Sequence, residues 1–128
     1  HHQHGSWAQT DPEAISRKTE AMVSYRLAEV DATPEQKSRI TAIMKGAAND
    51  LASVRGQARE LRRKSMELLA APAIDRAQIE ALRVQQMQLH ETVSRRMLQA
   101  MTDAAEVLTP EQRAKVTERM QRRHERRG

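Results

Sequence analysis

Four prolines divide this chain of 128 residues, and they constrain its fold more than any other feature. They are Pro12, Pro34, Pro72 and Pro110. Proline fits the first turn of a helix, where its missing N–H costs nothing, but it breaks a helix interior. The spacing therefore predicts four helices, at about 12–30, 34–70, 75–107 and 110–126.

The residue types favour helices along the whole chain, which is rich in Ala, Glu, Arg, Gln and Leu. Phe is absent, and Trp7 and Tyr25 are the only aromatic residues. No β-branched run alternates with polar residues in the way that a strand requires. We therefore predict an all-α fold whose core is thin and mostly aliphatic.

The second and third segments carry apolar or small residues at alternating spacings of four and three, the pattern of helices that pack side by side. These seams run over residues 40–68 and 79–108, and the second is interrupted at Gln86 and slips near Met97. A helix of about 36 residues would be about 54 Å long, longer than a compact small domain. We predict a long antiparallel hairpin joined at residues 70–75, with its remaining apolar surface covered by a second copy in a homodimer.

The first segment has only a weak apolar stripe, at Ile15, Met22 and Leu27. The net charge of +5 permits acidic partners such as nucleic acid, anionic membranes or acidic proteins. Because cysteine is absent, disulfides, thiolate catalysis and cysteine-based zinc sites are excluded. No phosphate-binding glycine loop or Gly-x-Ser-x-Gly motif is visible, so we expect a non-enzymatic protein. No membrane span or signal peptide is visible either, so we expect the mature form if the protein is exported.

The tetrapeptide Thr-Pro-Glu-Gln occurs twice. Each Thr is suited to cap a helix, Pro to the first helical position, Glu to the positive end of the helix dipole, and Gln to reach back to the N–H of the cap residue. The motif lacks a base, a nucleophile and a metal-ligand set, so we interpret it as structural. Its defining residues are Thr33, Pro34, Gln36, Thr109, Pro110 and Gln112.

Two such motifs with a hairpin between them resemble the Spy/CpxP family of periplasmic stress proteins, whose hallmark is a pair of Leu-Thr-x-x-Gln motifs. The resemblance spans about residues 20–122 and is carried by ATPEQKSRITAIMKG (32–46), IDRAQIEALRVQQMQLHE (74–91) and LTPEQRAKV (108–116). Ala32 stands where the family usually has Leu, which predicts a weaker apolar contact before the first cap.

The resemblance implies four helices per chain and a thin, curved, cradle-like homodimer in the bacterial periplasm. Members act as ATP-independent chaperones that hold unfolded clients on the concave face, or as sensors that restrain a membrane histidine kinase, and some bind zinc, nickel or cobalt. We accordingly expect a flexible histidine-containing end at residues 1–10 and one helical domain at 11–127. The expected function is that of a periplasmic chaperone for unfolded or misfolded proteins, without a required cofactor and without nucleic acid as a partner.

A basic run on the second helix is the candidate client-binding surface. It borders the apolar seam, and it combines guanidinium groups that attract acidic segments with flexible thioethers that pack against varied partners. The plain alternative is a solvated helix face, and for any single Met a position in the core is the favoured assignment. The candidate residues are Arg55, Arg59, Arg62, Arg63, Met66 and Met87.

Two alternatives stay open. The N-terminal His1, His2 and His4 are candidate ligands for zinc, copper or nickel, which would suit a metal-responsive sensor or regulator of an envelope stress response. A tag remnant or merely a flexible end is a strong alternative explanation for them. His90 has no second ligand nearby and is interpreted as a surface residue. The arginines of RMQRRHERRG at 119–128 suit a basic nucleic-acid-binding protein, but stacking aromatics and a recognition-helix turn are missing.

Overall fold

The computed structural model describes residues 12–127, which form four α-helices without a strand among them. The helices are α1 (Pro12–Ala28), α2 (Pro34–Ala70), α3 (Arg76–Val107) and α4 (Pro110–Arg127). The all-α class and the four-helix order are therefore confirmed. Every helix end lies within two residues of its predicted position because the prolines and their caps set the boundaries.

Packing divides the chain into two compact units. Of the described residues, the first unit comprises 12–48 and 100–127, and the second comprises 49–99. α2 and α3 each contribute residues to both units, whereas α1 and α4 belong to the first.

The core of the first unit is small and aliphatic. Val23 and Leu27 of α1, together with Val30 just beyond it, pack against Ile40 of α2 and the end of α3. Val30 is the most enclosed of these larger side chains, with 1% of its surface exposed. The remaining core members and the side chains packed against them are Ala104, Leu108, Ala32, Met44, Val107 and Val116. Ala32 thus makes its apolar contact before the first cap despite its small size.

The chain leaves α1 through a tight reversal at Asp31, whose φ of 57° is in the left-handed region. The N–H of Ala32 donates to the carbonyl of Leu27 at 3.1 Å, and the N–H of Asp31 donates to that of Ala28 at 3.3 Å. This pair of bonds is a Schellman motif, in which aspartate is tolerated although glycine is the usual residue. The reversal brings the first Thr-Pro-Glu-Gln motif back towards the core.

The second unit is an antiparallel hairpin, as predicted. Arg96 near its C-terminal end donates from Nε to Oδ2 of Asp50 near its N-terminal end at 2.8 Å, so the two helices run in opposite directions. The predicted seam residues of α2 in this unit are all partly buried; they are Leu51, Val54, Ala58, Leu61, Ser65 and Leu68. On α3 the seam slips as expected, because Arg96 takes the inward position and Met97 is 42% exposed.

An aspartate caps the start of α3. The Oδ1 atom of Asp75 accepts the N–H of Gln78 at 3.1 Å, and Oδ2 accepts the side-chain amide of the same residue at 2.7 Å. The side-chain bond, followed by the backbone bond, lowers the pKa of the Asp75 carboxyl from its ordinary value of 3.8. The charged form is therefore the one that holds the helix start.

Threonines cap α2 and α4 in the same manner. The Oγ1 atom of Thr33 accepts the N–H of Gln36 at 3.1 Å, and that of Thr109 accepts the N–H of Gln112 at 3.2 Å. In return, each glutamine Oε1 accepts the N–H of its own threonine at 2.9 Å. Both motifs thus form complete capping boxes.

We expect Thr33→Ala and Thr109→Ala each to lower the free energy of unfolding by about 1 kcal/mol, because each leaves a first-turn N–H without its acceptor. Urea unfolding followed by circular dichroism measures this. Thr92→Ala and Thr117→Ala are matched controls, since their hydroxyls donate to carbonyls one turn back inside helices, where alanine is favourable. Capping variants as stable as these controls would contradict the assignment.

Candidate functional site

The two Thr-Pro-Glu-Gln motifs meet through their glutamines in the first unit. The Nε2 atom of Gln36 donates to Oε1 of Gln112 at 2.8 Å, and Nε2 of Gln112 donates to Oε1 of Gln36 at 3.1 Å. Each amide is therefore both donor and acceptor to the other. We call this cyclic arrangement the glutamine pair.

The glutamine pair also satisfies backbone groups at the ends of the other two helices. The second N–H of the Gln36 amide donates to the carbonyl of Val107 at the end of α3, at 3.2 Å. The second N–H of the Gln112 amide donates to the carbonyl of Asp31, just after α1, at 3.4 Å. Because each Oε1 also accepts its own capping N–H, both amides use all their donors and two acceptor positions.

The sequence carried a signal for this pair that local reasoning missed. A capping box uses only the carbonyl oxygen of the glutamine side chain, so the NH₂ group needs a partner elsewhere. The same unused group occurs twice, at Gln36 and Gln112, 76 residues apart. The motif is structural, and it joins four helix ends.

The candidate client-binding residues lie mainly along one exposed face of α2. Arg55, Arg59, Arg62 and Met66 recur at helical spacing, each one position after a seam residue, and we call them the arginine-methionine stripe. Within residues 12–127, no carboxylate lies within 4 Å of the three guanidinium groups. Met66 is 70% exposed, so its thioether is available to a partner.

Arg63 does not belong to this stripe. It lies on another face of α2, where it pairs with Glu60 one turn before it and Glu67 one turn after it. Hydrogen bonding to Glu60 is the main cause that raises the pKa of Arg63, and the same bond lowers the pKa of Glu60. Its charge is therefore largely offset within the helix.

Met87, the remaining candidate residue, is on α3. It is exposed and shares a face with Val84 and Leu98, which are exposed as well. By helical spacing this face is opposite the seam that contains Leu82 and Leu89. Met87 therefore offers apolar surface on a different helix from the arginine-methionine stripe.

The C-terminal arginines are used within the first unit. Arg119 and Arg123 both pair with Glu29, at 3.3 and 3.4 Å, and Arg122 pairs with Glu118 on its own helix. The two pairs with Glu29 link α4 to the residue that follows α1. Three of the five arginines that motivated the nucleic-acid hypothesis thus have carboxylate partners.

The histidines proposed as metal ligands, His1, His2 and His4, lie outside the described residues. Within residues 12–127, no group of three or more His, Cys, Asp or Glu side chains is arranged to hold a metal ion. His90 is exposed, as interpreted from the sequence. Over the same range, none of the helices has the length and apolar character that a membrane span needs.

Comparison with known proteins identifies one family. Residues 4–115 match the model of a family described as heavy-metal resistance. No curated protein and no solved structure shows significant similarity to the chain.

The glutamine pair predicts strong coupling between Gln36→Ala and Gln112→Ala. Either substitution alone leaves the partner amide unsatisfied, whereas the double variant removes both, so we expect a coupling energy of about 1 to 2 kcal/mol. A double-mutant cycle of urea unfolding measures it. Gln78→Ala is the control, because that amide bonds only locally to Asp75 and should not couple to Gln36→Ala. Additive effects at Gln36 and Gln112 would contradict the pair.

Proposed function

The chain belongs to the heavy-metal resistance family, and from this premise we propose that it is a periplasmic, ATP-independent chaperone that binds unfolded proteins under metal stress. The family is grouped with the helical periplasmic proteins of the Spy/CpxP type. The observation that carries the proposal is the arginine-methionine stripe, an exposed surface that is both cationic and apolar. It requires no catalytic centre.

The stripe suits a segment of unfolded chain in length as well as in chemistry. From Arg55 to Met66 it extends about 16 Å at 1.5 Å per residue, which is the span of about five residues of extended polypeptide. Leu69 lies one turn beyond Met66 and is exposed, so the stripe ends in apolar surface. A client segment with acidic residues followed by apolar ones matches this order.

The chemistry of the stripe favours loose and broad recognition. Guanidinium groups on long side chains attract carboxylates without requiring one fixed geometry, and thioethers adapt to differently shaped apolar groups. Because the surface is an exposed helix face and not a closed pocket, it selects by charge and hydrophobicity, which unfolded proteins share.

Substoichiometric to few-fold excess protein is expected to reduce the aggregation of a chemically denatured, acidic model client, measured by light scattering. Arg55→Glu, Arg59→Glu and Arg62→Glu combined should weaken client binding and flatten its salt dependence, because attraction becomes repulsion. The control combines Lys18→Glu, Arg39→Glu and Arg113→Glu, which change the net charge equally at exposed positions outside the stripe.

Unchanged aggregation would refute the chaperone proposal. If the stripe variant and the control weaken client binding equally, then net charge, and not the stripe, determines that binding.

The second candidate function is a metal-responsive sensor or regulator of an envelope stress system, working with a membrane sensor kinase. The family description favours it, and His1, His2 and His4 are the residues proposed to bind zinc, copper or nickel.

Calorimetric titration with these three metals tests the sensor hypothesis. We expect the native N-terminus to bind at least one of them, and a variant with His1→Ala, His2→Ala and His4→Ala to lose that binding. The absence of binding by the native N-terminus would eliminate this candidate.

A further inference from the structure

Most methionines of this chain lie at its surface. The chain has seven methionines and no cysteine. Methionine is among the residues most often buried in proteins, yet here Met44 alone packs against the core cluster. The thioethers are therefore open to oxidants, and no thiol competes with them. The exposed methionines are Met22, Met66, Met87, Met97, Met101 and Met120.

Met66 differs from the other methionines in its exposure and in the charge around it. It is the most exposed of them, at 70%. Arg62 precedes it by four residues, a spacing that brings two Cβ atoms to about 5–6 Å on one helix face. In the described part of the chain, neither Arg59 nor Arg62 has a carboxylate within 4 Å. Within seven residues of Met66, α2 carries four arginines and lysines but two glutamates, so the surrounding charge is positive.

Met87 provides a comparison within the same unit. It is 56% exposed, but the seven residues on either side of it contain one arginine and two glutamates. That arginine, Arg83, pairs with Glu80, and Glu91 pairs with Arg95. Met66 and Met87 thus present the same oxidisable group in surroundings of opposite charge.

We propose that Met66 is an oxidation site for anionic peroxides, such as the peroxymonocarbonate that hydrogen peroxide forms with bicarbonate. Its sulfoxide weakens the apolar end of the arginine-methionine stripe. The oxidation site requires no chaperone activity, whereas its effect on client binding rests on the function proposed above. Positive charge attracts the anion and raises its concentration near the thioether.

The oxygen transfer needs no further reactant. The sulfur lone pair attacks the outer peroxide oxygen, and the S–O bond forms as the O–O bond breaks. The electron pair and the proton leave with the carbonate group, so the thioether and HCO₄⁻ give the sulfoxide and HCO₃⁻. Methionine loses two electrons and the peroxide gains them. A methionine sulfoxide reductase restores the thioether.

The sulfoxide changes one part of the stripe and leaves the other intact. Met66 and the exposed Leu69 form its apolar end, and oxidation makes the first of these side chains polar. The guanidinium groups keep their charge. Oxidised protein should therefore still attract acidic segments but bind apolar segments less tightly.

Sulfoxide mapping tests the site on full-length protein. Substoichiometric peroxymonosulfate serves as a stable anionic peroxide and hydrogen peroxide as a neutral one, and mass spectrometry of peptides quantifies the sulfoxide at each methionine. At low ionic strength, the ratio of oxidation at Met66 to that at Met87 should be about three-fold or more higher with the anion. In concentrated salt, the ratio should fall to the value for hydrogen peroxide.

Charge variants supply the control for this mapping. Arg55→Glu, Arg59→Glu and Arg62→Glu combined should abolish the preference of the anion for Met66. The combination of Lys18→Glu, Arg39→Glu and Arg113→Glu changes the net charge equally and should preserve it. Equal ratios for the two oxidants, or a preference that neither salt nor the stripe substitutions reduce, would overturn the site.

Substitutions test the effect of the sulfoxide without oxidant. Met66→Gln imitates its polarity and Met66→Leu keeps an apolar side chain, so the Gln variant should bind a neutral, apolar unfolded client about three-fold or more weakly than the Leu variant. Met97→Gln and Met97→Leu, at an exposed position outside the stripe, should bind it equally. Equal affinity of the two Met66 variants would overturn the effect on clients. Sulfoxide mapping needs no client, so it decides the oxidation site even if the chaperone assay fails.

Discussion

The glutamine pair resolves a problem that every helix end creates. Helix ends expose backbone N–H and C=O groups without partners, and bringing several ends together removes water that would otherwise satisfy them. Gln36 and Gln112 meet this demand because an amide side chain carries two donors and an oxygen with two acceptor positions. Each glutamine caps its own helix, bonds its counterpart and reaches a carbonyl at the end of another helix.

The thin core increases the importance of these bonds. Its members are Val, Leu, Ile and Ala, and small side chains such as Ala47 and Ala100 are among the most buried. Burial of such a core drives the helices together, but aliphatic side chains of similar shape only weakly specify how the helices align with one another. The glutamine pair does specify it, since a shift of either helix by one residue would break several bonds at once. In the first unit, apolar burial therefore holds the helices together, and the geometry of the two amides fixes their alignment.

The prolines and the apolar seams predicted most of the helical architecture. Both are local features of the sequence: the prolines mark helix boundaries, and the seams mark the buried faces of the helices. Of the apolar residues noted in α1, only Leu27 enters the core, while Met22 is 45% exposed and Val23 and Val30 are buried. Which of these side chains are buried depends on where the chain reverses at Asp31, and the weak periodicity of α1 does not reveal that position.

For the candidate site, spacing predicted the exposed stripe, and the carboxylates one turn on either side of Arg63 were visible in the sequence as well. The contact between Gln36 and Gln112 was not, because residues distant in sequence meet only after the helices pack.

The charges on α2 give a final reason to regard the arginine-methionine stripe as a binding surface. Arg55 and Arg59 are four residues apart and Arg59 and Arg62 are three apart, spacings at which like charges destabilise a helix by about 0.2–0.5 kcal/mol per pair. The neighbouring Arg63 differs, because it pairs with Glu60 and Glu67 on its own helix. An acidic client would relieve the repulsion in the stripe, so part of its binding energy would come from strain already present in the free protein.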